Sequence, residues 1–293
     1  MVQPKLDVLV VGSTGRQGGA VARSLLQGAH HVRAMTRTLA HPAADTLRLR
    51  GARLAWANID DMARLEDVAR GVTAIFAVTT ARGHGAAVET QHGLALIELA
   101  RRLEVEHLVY SSSMAASSFT GVPELDSKHE IEQYLRTSGV PHTIVCPGFF
   151  MEDLLRAPLL DPLRRGELSL PMSANRKLQQ IAMADIGRFV RVVLEQREAV
   201  LGKRICIASD ELTPIEMAAT LARVAGQRIQ HDPLAPYLRE HDPGTAALFD
   251  WLDRNDGCSD VVALRSTYPQ VNWHTLDGWA KRQDWSVLRV EAV

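Results

Sequence analysis

The residues best placed to do chemistry fall into three groups. Gly12-Ser13-Thr14-Gly15-Arg16-Gln17-Gly18-Gly19 lies between a short apolar run and an amphipathic stretch, so a glycine turn opens directly into a helix. Gly12 makes the tight turn, Gly15 lets backbone N–H groups approach an anion, and Gly18 permits close helix-strand packing, while the helix N-terminus presents partial positive charge. The spacing is GxxGxxG rather than GxGxxG; alone it fits a merely structural glycine turn as well, but its strand-turn-helix context points to a dinucleotide pyrophosphate site. Arg37 closes the second apolar run, where an NAD protein commonly carries a carboxylate for the ribose 2′-hydroxyl. A guanidinium there clamps a 2′-phosphate, and Arg16 reaches for the same group, so NADP(H) is the expected cofactor.

Further along, Asp60 and Asp61 follow the third strand and admit two readings, a hydrogen bond to the adenine amino group or an N-cap. Thr79 and Thr80 close the fourth strand at the sheet's carboxyl edge and are expected beside the ribose or nicotinamide. Ser111, Ser112 and Ser113 follow the fifth strand. Ser113 either polarises a substrate carbonyl, with Lys128 as a second donor to the product oxyanion, or merely holds the turn with its neighbours. Lys128 is expected on the cofactor ribose. The residue four places before it is Glu124 rather than the tyrosine that a conventional short-chain dehydrogenase pairs with its lysine. Tyr134 lies six residues after Lys128, and at about 100° per helical residue it faces elsewhere and packs. Without a phenol, alcohol oxidation and sugar-nucleotide epimerisation are disfavoured. Reduction of a quinone or activated alkene is less demanding, because its product anion is delocalised. Phe149, Phe150 and Met151 either wall an apolar substrate cleft or close the core. His129 reads as a solvated helix residue and Glu124 as a loop charge. Trp251, Tyr268, Trp273 and Trp279 read as packing residues.

Positioning these groups requires alternating strands and helices. Strands at Asp7 to Val11, His31 to Thr36, Arg53 to Ala57, Ala74 to Val78, His107 to Ser111 and His142 to Cys146 alternate with helices at Gln17 to Gln27, Ala43 to Arg50, Met62 to Arg70, Val88 to Leu103 and Leu125 to Thr137. That rhythm predicts an α/β protein, a Rossmann-type doubly wound parallel sheet with a small C-terminal α/β lobe. The nucleotide-binding domain is expected over 1–155, completed by roughly 181–208, with 156–180 and 209–293 forming the lobe for substrate or partner. Thr213 and Pro214 read as N-cap and first residue of a helix.

The composition narrows the function classes. A net charge of -1 over 293 residues, with basic residues scattered, offers no field for nucleic acid. No apolar run is long enough to span a membrane, and the N-terminal one is too short for a secretion signal, so a cytoplasmic protein is expected. Neither CxxC nor HExxH spacing occurs, and His30 and His31 have no carboxylate cluster beside them, so no metal is expected.

In its order of short matches the chain resembles the NmrA-like branch of the atypical short-chain dehydrogenases, which includes isoflavone reductase-like proteins. The matching segments are Gly12 to Gly19, Val32 to Arg37, Ser111 to Ser113, Lys128 within Ser127 to Glu132, Pro147 to Asp153, Ala184 to Gly187, Asp210 to Glu216, and Thr275 to Trp279. The resemblance implies an NADP(H)-binding domain, a small C-terminal domain and a cleft for substrate or partner. It also implies one of two roles. One is NADPH-dependent reduction of a small hydrophobic, quinone-like acceptor. The other is non-catalytic NADP(H) redox sensing through a regulatory protein partner. Cys146 stands where the family usually has Arg, and Asp153 where it usually has Asn, so the contacts implied at those positions are not carried over.

Overall fold

The structure is a computed structural model that describes residues 5–288. The chain runs β1 (Asp7–Val10), α1 (Arg16–Gln27), β2 (His31–Thr36), α2 (Pro42–Leu49), β3 (Arg53–Trp56), α3 (Met62–Ala69), β4 (Ala74–Val78), α4 (Ala86–Arg102), β5 (His107–Ser111), α5 (Pro123–Thr137) and β6 (His142–Pro147). It continues through β7 (Phe149–Phe150), α6 (Leu160–Arg164), β8 (Glu167–Ser169), β9 (Leu178–Ile181), α7 (Met183–Glu195), α8 (Arg197–Val200) and β10 (Arg204–Ile207). The remainder of the described residues holds β11 (Asp210–Leu212), α9 (Pro214–Ala225), β12 (Gln230–Asp232), α10 (Pro236–His241), α11 (Pro243–Arg254), α12 (Val261–Thr267) and α13 (Leu276–Ala280). Two compact units result: one extends to Cys146 and resumes over Met183–Cys206, the other comprises Pro147–Ala182 and the chain from Ile207 onward. Among the described residues no helix is long and apolar enough to cross a membrane.

The first unit is a seven-stranded sheet in the order β10-β6-β5-β4-β1-β2-β3. The β1 to β6 pairings are parallel; Val8, for example, lies between Val32 and Ala74. Successive side chains of a strand point to opposite faces, so Leu9, Val11, Ile75, Ala77, Leu108, Tyr110, Ile144 and Cys146 share one face. There they pack with Leu65 of α3, Leu96 of α4 and Ile131 of α5. Helix α1 packs instead against α2 and α7. The approach to α7 needs a residue without a side chain: a Cβ on Gly187 would lie 2.4 Å from the Ala20 carbonyl oxygen. Gly187→Ala must push two helices apart, and it is expected to lower stability by about 1–3 kcal/mol. The reading is a lower urea midpoint at unchanged slope.

The second unit has its own core, in which Met151, Leu154, Leu178, Met217, Leu221, Leu238, Phe249 and Trp279 are buried together. Its strands form β11-β9-β7 and β12-β8. Helix α9 begins as its sequence predicts, with Pro214 in the first turn. The Thr213 hydroxyl accepts from the Glu216 N–H, and the Glu216 side chain accepts from Thr213 in return. Trp273 donates to the Tyr268 carbonyl and Trp279 to Glu152, so both indoles are packed and satisfied within the lobe.

Candidate dinucleotide site

Strand β1 lies between β2 and β4, the point where the winding of the sheet reverses and an open crevice forms at the strands' carboxyl ends. The Gly12–Gly18 turn sits there. Gly12 has φ +65°, a left-handed backbone that only glycine adopts without strain, and its carbonyl accepts from Gly15 N–H at 2.9 Å. A Cβ on Gly18 would stand 2.3 Å from the Gly12 carbonyl oxygen, so helix and turn touch through backbone alone. The buried Ser13 hydroxyl donates to the Met35 carbonyl of β2 at 2.7 Å. Gln17 accepts from Ser111 at the end of β5 at 2.6 Å. The turn is thereby tied to strands on both sides.

No side chain caps the N-terminus of α1, and its first turn carries no acidic residue. Elsewhere in the chain Asp61, Asp242, Asp260 and Thr213 cap their helices. A helix left uncapped and lined by Gly12 and Gly15, both open to solvent, suits an anion such as a pyrophosphate. Thr14, Arg16 and Gln17 line the same turn, each partly exposed. Arg37 is exposed just past β2, and its carbonyl accepts from the Trp56 indole at 3.2 Å.

Other expected residues are differently engaged. Asp60 is exposed and bound to His92 at 2.9 Å and to Asn58 at 3.0 Å; the His92 hydrogen bond is the first cause holding its carboxyl below the usual range. Its neighbour Asp61 is the N-cap of α3. Thr80 is exposed and its hydroxyl accepts from Arg82 N–H, a local turn contact. Thr79 is buried, its hydroxyl donating to Glu89 at 3.0 Å. Only the Thr79 carbonyl turns toward Lys128, whose ammonium donates to it at 3.2 Å.

That ammonium also donates to Glu89 at 2.5 Å, and Ser127 donates to the other Glu89 oxygen at 2.8 Å. Glu89 is wholly buried whereas the Lys128 side chain keeps 17% exposure. All three serines make contacts that hold the turn. Ser111 bonds to Gln17 and Ser112 to the buried Glu132 at 2.5 Å, so both hold the turn. Ser113 accepts from Ala115 N–H, an ST turn that leaves its own hydroxyl proton to donate. The Ser113 carbonyl accepts from Arg204 at 2.9 Å, and Arg204 also donates to Glu132 at 2.8 Å. Cys146, in the position where Arg was expected by resemblance, is a buried free thiol beside Glu132, with its pKa raised first by burial. The guanidinium groups against Glu132 come from Arg204 and Arg136 instead.

Three sequence readings need correction. His129 is buried rather than solvated, bonded to the Ala116 carbonyl at 3.0 Å and edge-on to Phe119. Glu124 belongs to the first turn of α5, which opens with Pro123. Tyr134 is 37% exposed and donates to Glu98 at 2.6 Å, so it bridges helices at the surface. Of the two readings open to Met151, its place is in the core of the second unit, where it has no exposure. Phe149 and Phe150 are half-buried in that unit, and Phe149 packs on Phe249 at 5.5 Å. A phenol does occur near Lys128, from Tyr110, which lies 3.3 Å from the Thr79 hydroxyl. It is fully buried and its pKa stands well above the ordinary value, chiefly through burial, so it is no ready proton donor.

A parallel sheet in this order, with an uncapped glycine turn at its reversal point, defines a Rossmann-type α/β protein. The chain belongs to the NmrA-like family, whose model matches residues 4–238. FrzB, an NmrA-like family domain-containing oxidoreductase of a Cladobotryum species, is 27% identical over 262 residues, covering 80% of this chain and 78% of its own. Among solved structures, NmrA, a negative transcriptional regulator in complex with NADP, superposes with TM-score 0.81 at 21% identity, over 97% of this chain and 99% of its own. The same regulator has been solved with NAD. The NADPH-dependent quinone oxidoreductase QOR2 of Escherichia coli, complexed with NADPH, gives 0.77 at 20% identity, over 93% and 98%. At these identities the structural likeness is one of fold.

Proposed function

We propose that the chain binds NADP(H) and reduces a small, hydrophobic, quinone-like acceptor. Gly12, Ser13, Thr14, Gly15, Gln17 and Gly18 hold the pyrophosphate, Arg37 and Arg16 the 2′-phosphate, and Lys128 the nicotinamide ribose. The observation that carries the reading is the N-terminus of α1, uncapped and free of first-turn carboxylates in a helix that meets its turn backbone to backbone at Gly18. Structures of NmrA with NADP and of QOR2 with NADPH support it. NADPH bound there would supply a hydride, two electrons and one proton, and with one further proton from water the quinone would become hydroquinone. Ser113 donates a hydrogen bond to the reducible oxygen, and the Lys128 ammonium adds positive charge nearby.

A sensor reading is favoured by two features: Lys128 is already bonded to Glu89 and Thr79, and Glu124 stands where a phenol would serve as acid. Incubating the protein with NADPH and a panel of quinones, while following nicotinamide absorbance, separates the two. Acceptor-dependent oxidation supports the reductase, and tight binding without turnover moves the assignment to a sensor acting through a protein partner. Arg37→Asp replaces a charge-assisted contact with repulsion and is expected to weaken NADPH by roughly tenfold to a hundredfold while leaving NADH nearly unchanged. Equal losses for both nucleotides would remove Arg37 from the 2′-phosphate.

A further inference from the structure

We infer that Glu89 is the positioning residue of Lys128, holding its ammonium so that one N–H is left for the bound dinucleotide; this rests on the role proposed above for Lys128. Glu89 is a carboxylate with no exposure, placed on the first turn of α4, and such burial is costly unless the charge is paired and bonded. Its two oxygens take all their described partners from the surroundings of one lysine: Lys128 itself, the adjacent Ser127, and Thr79, whose carbonyl accepts from the same ammonium. An ammonium has three donors, and two are assigned here, to Glu89 and to the Thr79 carbonyl at the carboxyl edge of β4. The third is available where the Lys128 side chain is exposed.

The helices are built for this contact. Gly93, one turn after Glu89, lies so close to Ile131, three residues after Lys128, that a Cβ would come within 2.4 Å of the isoleucine side chain. Helices α4 and α5 therefore approach closely on the faces that carry the pair. Stability alone is a weak reason to keep such a pair, since buried ion pairs are often no better than apolar residues of the same volume. A fixed direction for the ammonium is a stronger one.

The test is a double-mutant cycle on NADPH affinity, using Glu89→Gln, Lys128→Met and the double variant, each checked for folding by circular dichroism. Glu89→Gln is expected to weaken NADPH by about tenfold, the scale of one hydrogen bond to a charged group. In the Lys128→Met background the same change is expected to have an effect within about twofold, because the two residues act as one unit. An equal loss in both backgrounds would show a merely structural carboxylate and overturn the inference. If Lys128→Met alone leaves NADPH affinity unchanged, the ribose role of Lys128 falls and Glu89 falls with it. If Lys128→Met weakens binding but Glu89→Gln does not, only the Glu89 inference fails. Should Glu89→Gln not fold, Glu89→Asp, which keeps the charge on a shorter arm, enters the cycle in its place with the same criteria.

Discussion

Gly18→Ala is expected to weaken NADPH binding by about a hundredfold, because an ångström-scale displacement of a positioned group costs that much. The new Cβ would lie 2.3 Å from the Gly12 oxygen, 2.5 Å from its carbonyl carbon and 2.7 Å from the Val11 oxygen. All three are backbone atoms and have no rotamer into which to retreat. The helix must lift away from the turn, taking its N–H groups off the pyrophosphate, and overpacking of this kind lowers stability by about 1–3 kcal/mol as well. Gly15→Ala provides the comparison, since its Cβ would meet only the Gly12 oxygen, at 3.2 Å. Calorimetric titration of both variants with NADPH should rank them in that order. Wild-type affinity in Gly18→Ala would show that the turn does not hold the cofactor.

The second large effect concerns Glu132. Its fully buried carboxylate accepts from Ser112 and from Arg136 and Arg204, and Arg204 in turn holds the Ser113 carbonyl. Removing one partner of a buried charge network strands the others, so Glu132→Ala is expected to cost about 3–5 kcal/mol. For a chain of this size that is a fall in melting temperature of roughly 10 °C. Arg136→Ala removes only the more exposed cation, at 38% exposure, and should cost no more than about 1 kcal/mol. Thermal melts followed by circular dichroism check the pair, and equal small shifts would show that Glu132 organises nothing.

Most of the first unit is legible in the chain because its signals are local. β1 to β6 and α1 to α5 begin and end within a residue or two of the apolar periods that predict them, and the glycine turn falls between β1 and α1. What sequence cannot display is pairing at a distance. Glu89 reads as one more acid on an amphipathic helix until Lys128, thirty-nine residues on, comes within 2.5 Å. Glu132 and Arg204 are separated by seventy-two residues and escape for the same reason. His129 misleads because a histidine amid charged neighbours looks solvated, whereas the Ala116 carbonyl and Phe119 cover it. Between 150 and 180 the strands are two to four residues long, too short for a period to register. Met151 illustrates the limit there, since an apolar side chain carries the same signal whether it faces a ligand or a core.

Calorimetric titration of the purified chain with NADPH and with NADH under identical conditions tests the proposal that the glycine turn and Arg37 hold NADP(H). Saturable one-to-one binding is expected, with NADPH at least about tenfold tighter, the scale of one charge-assisted hydrogen bond to the 2′-phosphate. Binding of neither nucleotide, or tighter binding of NADH, would contradict it.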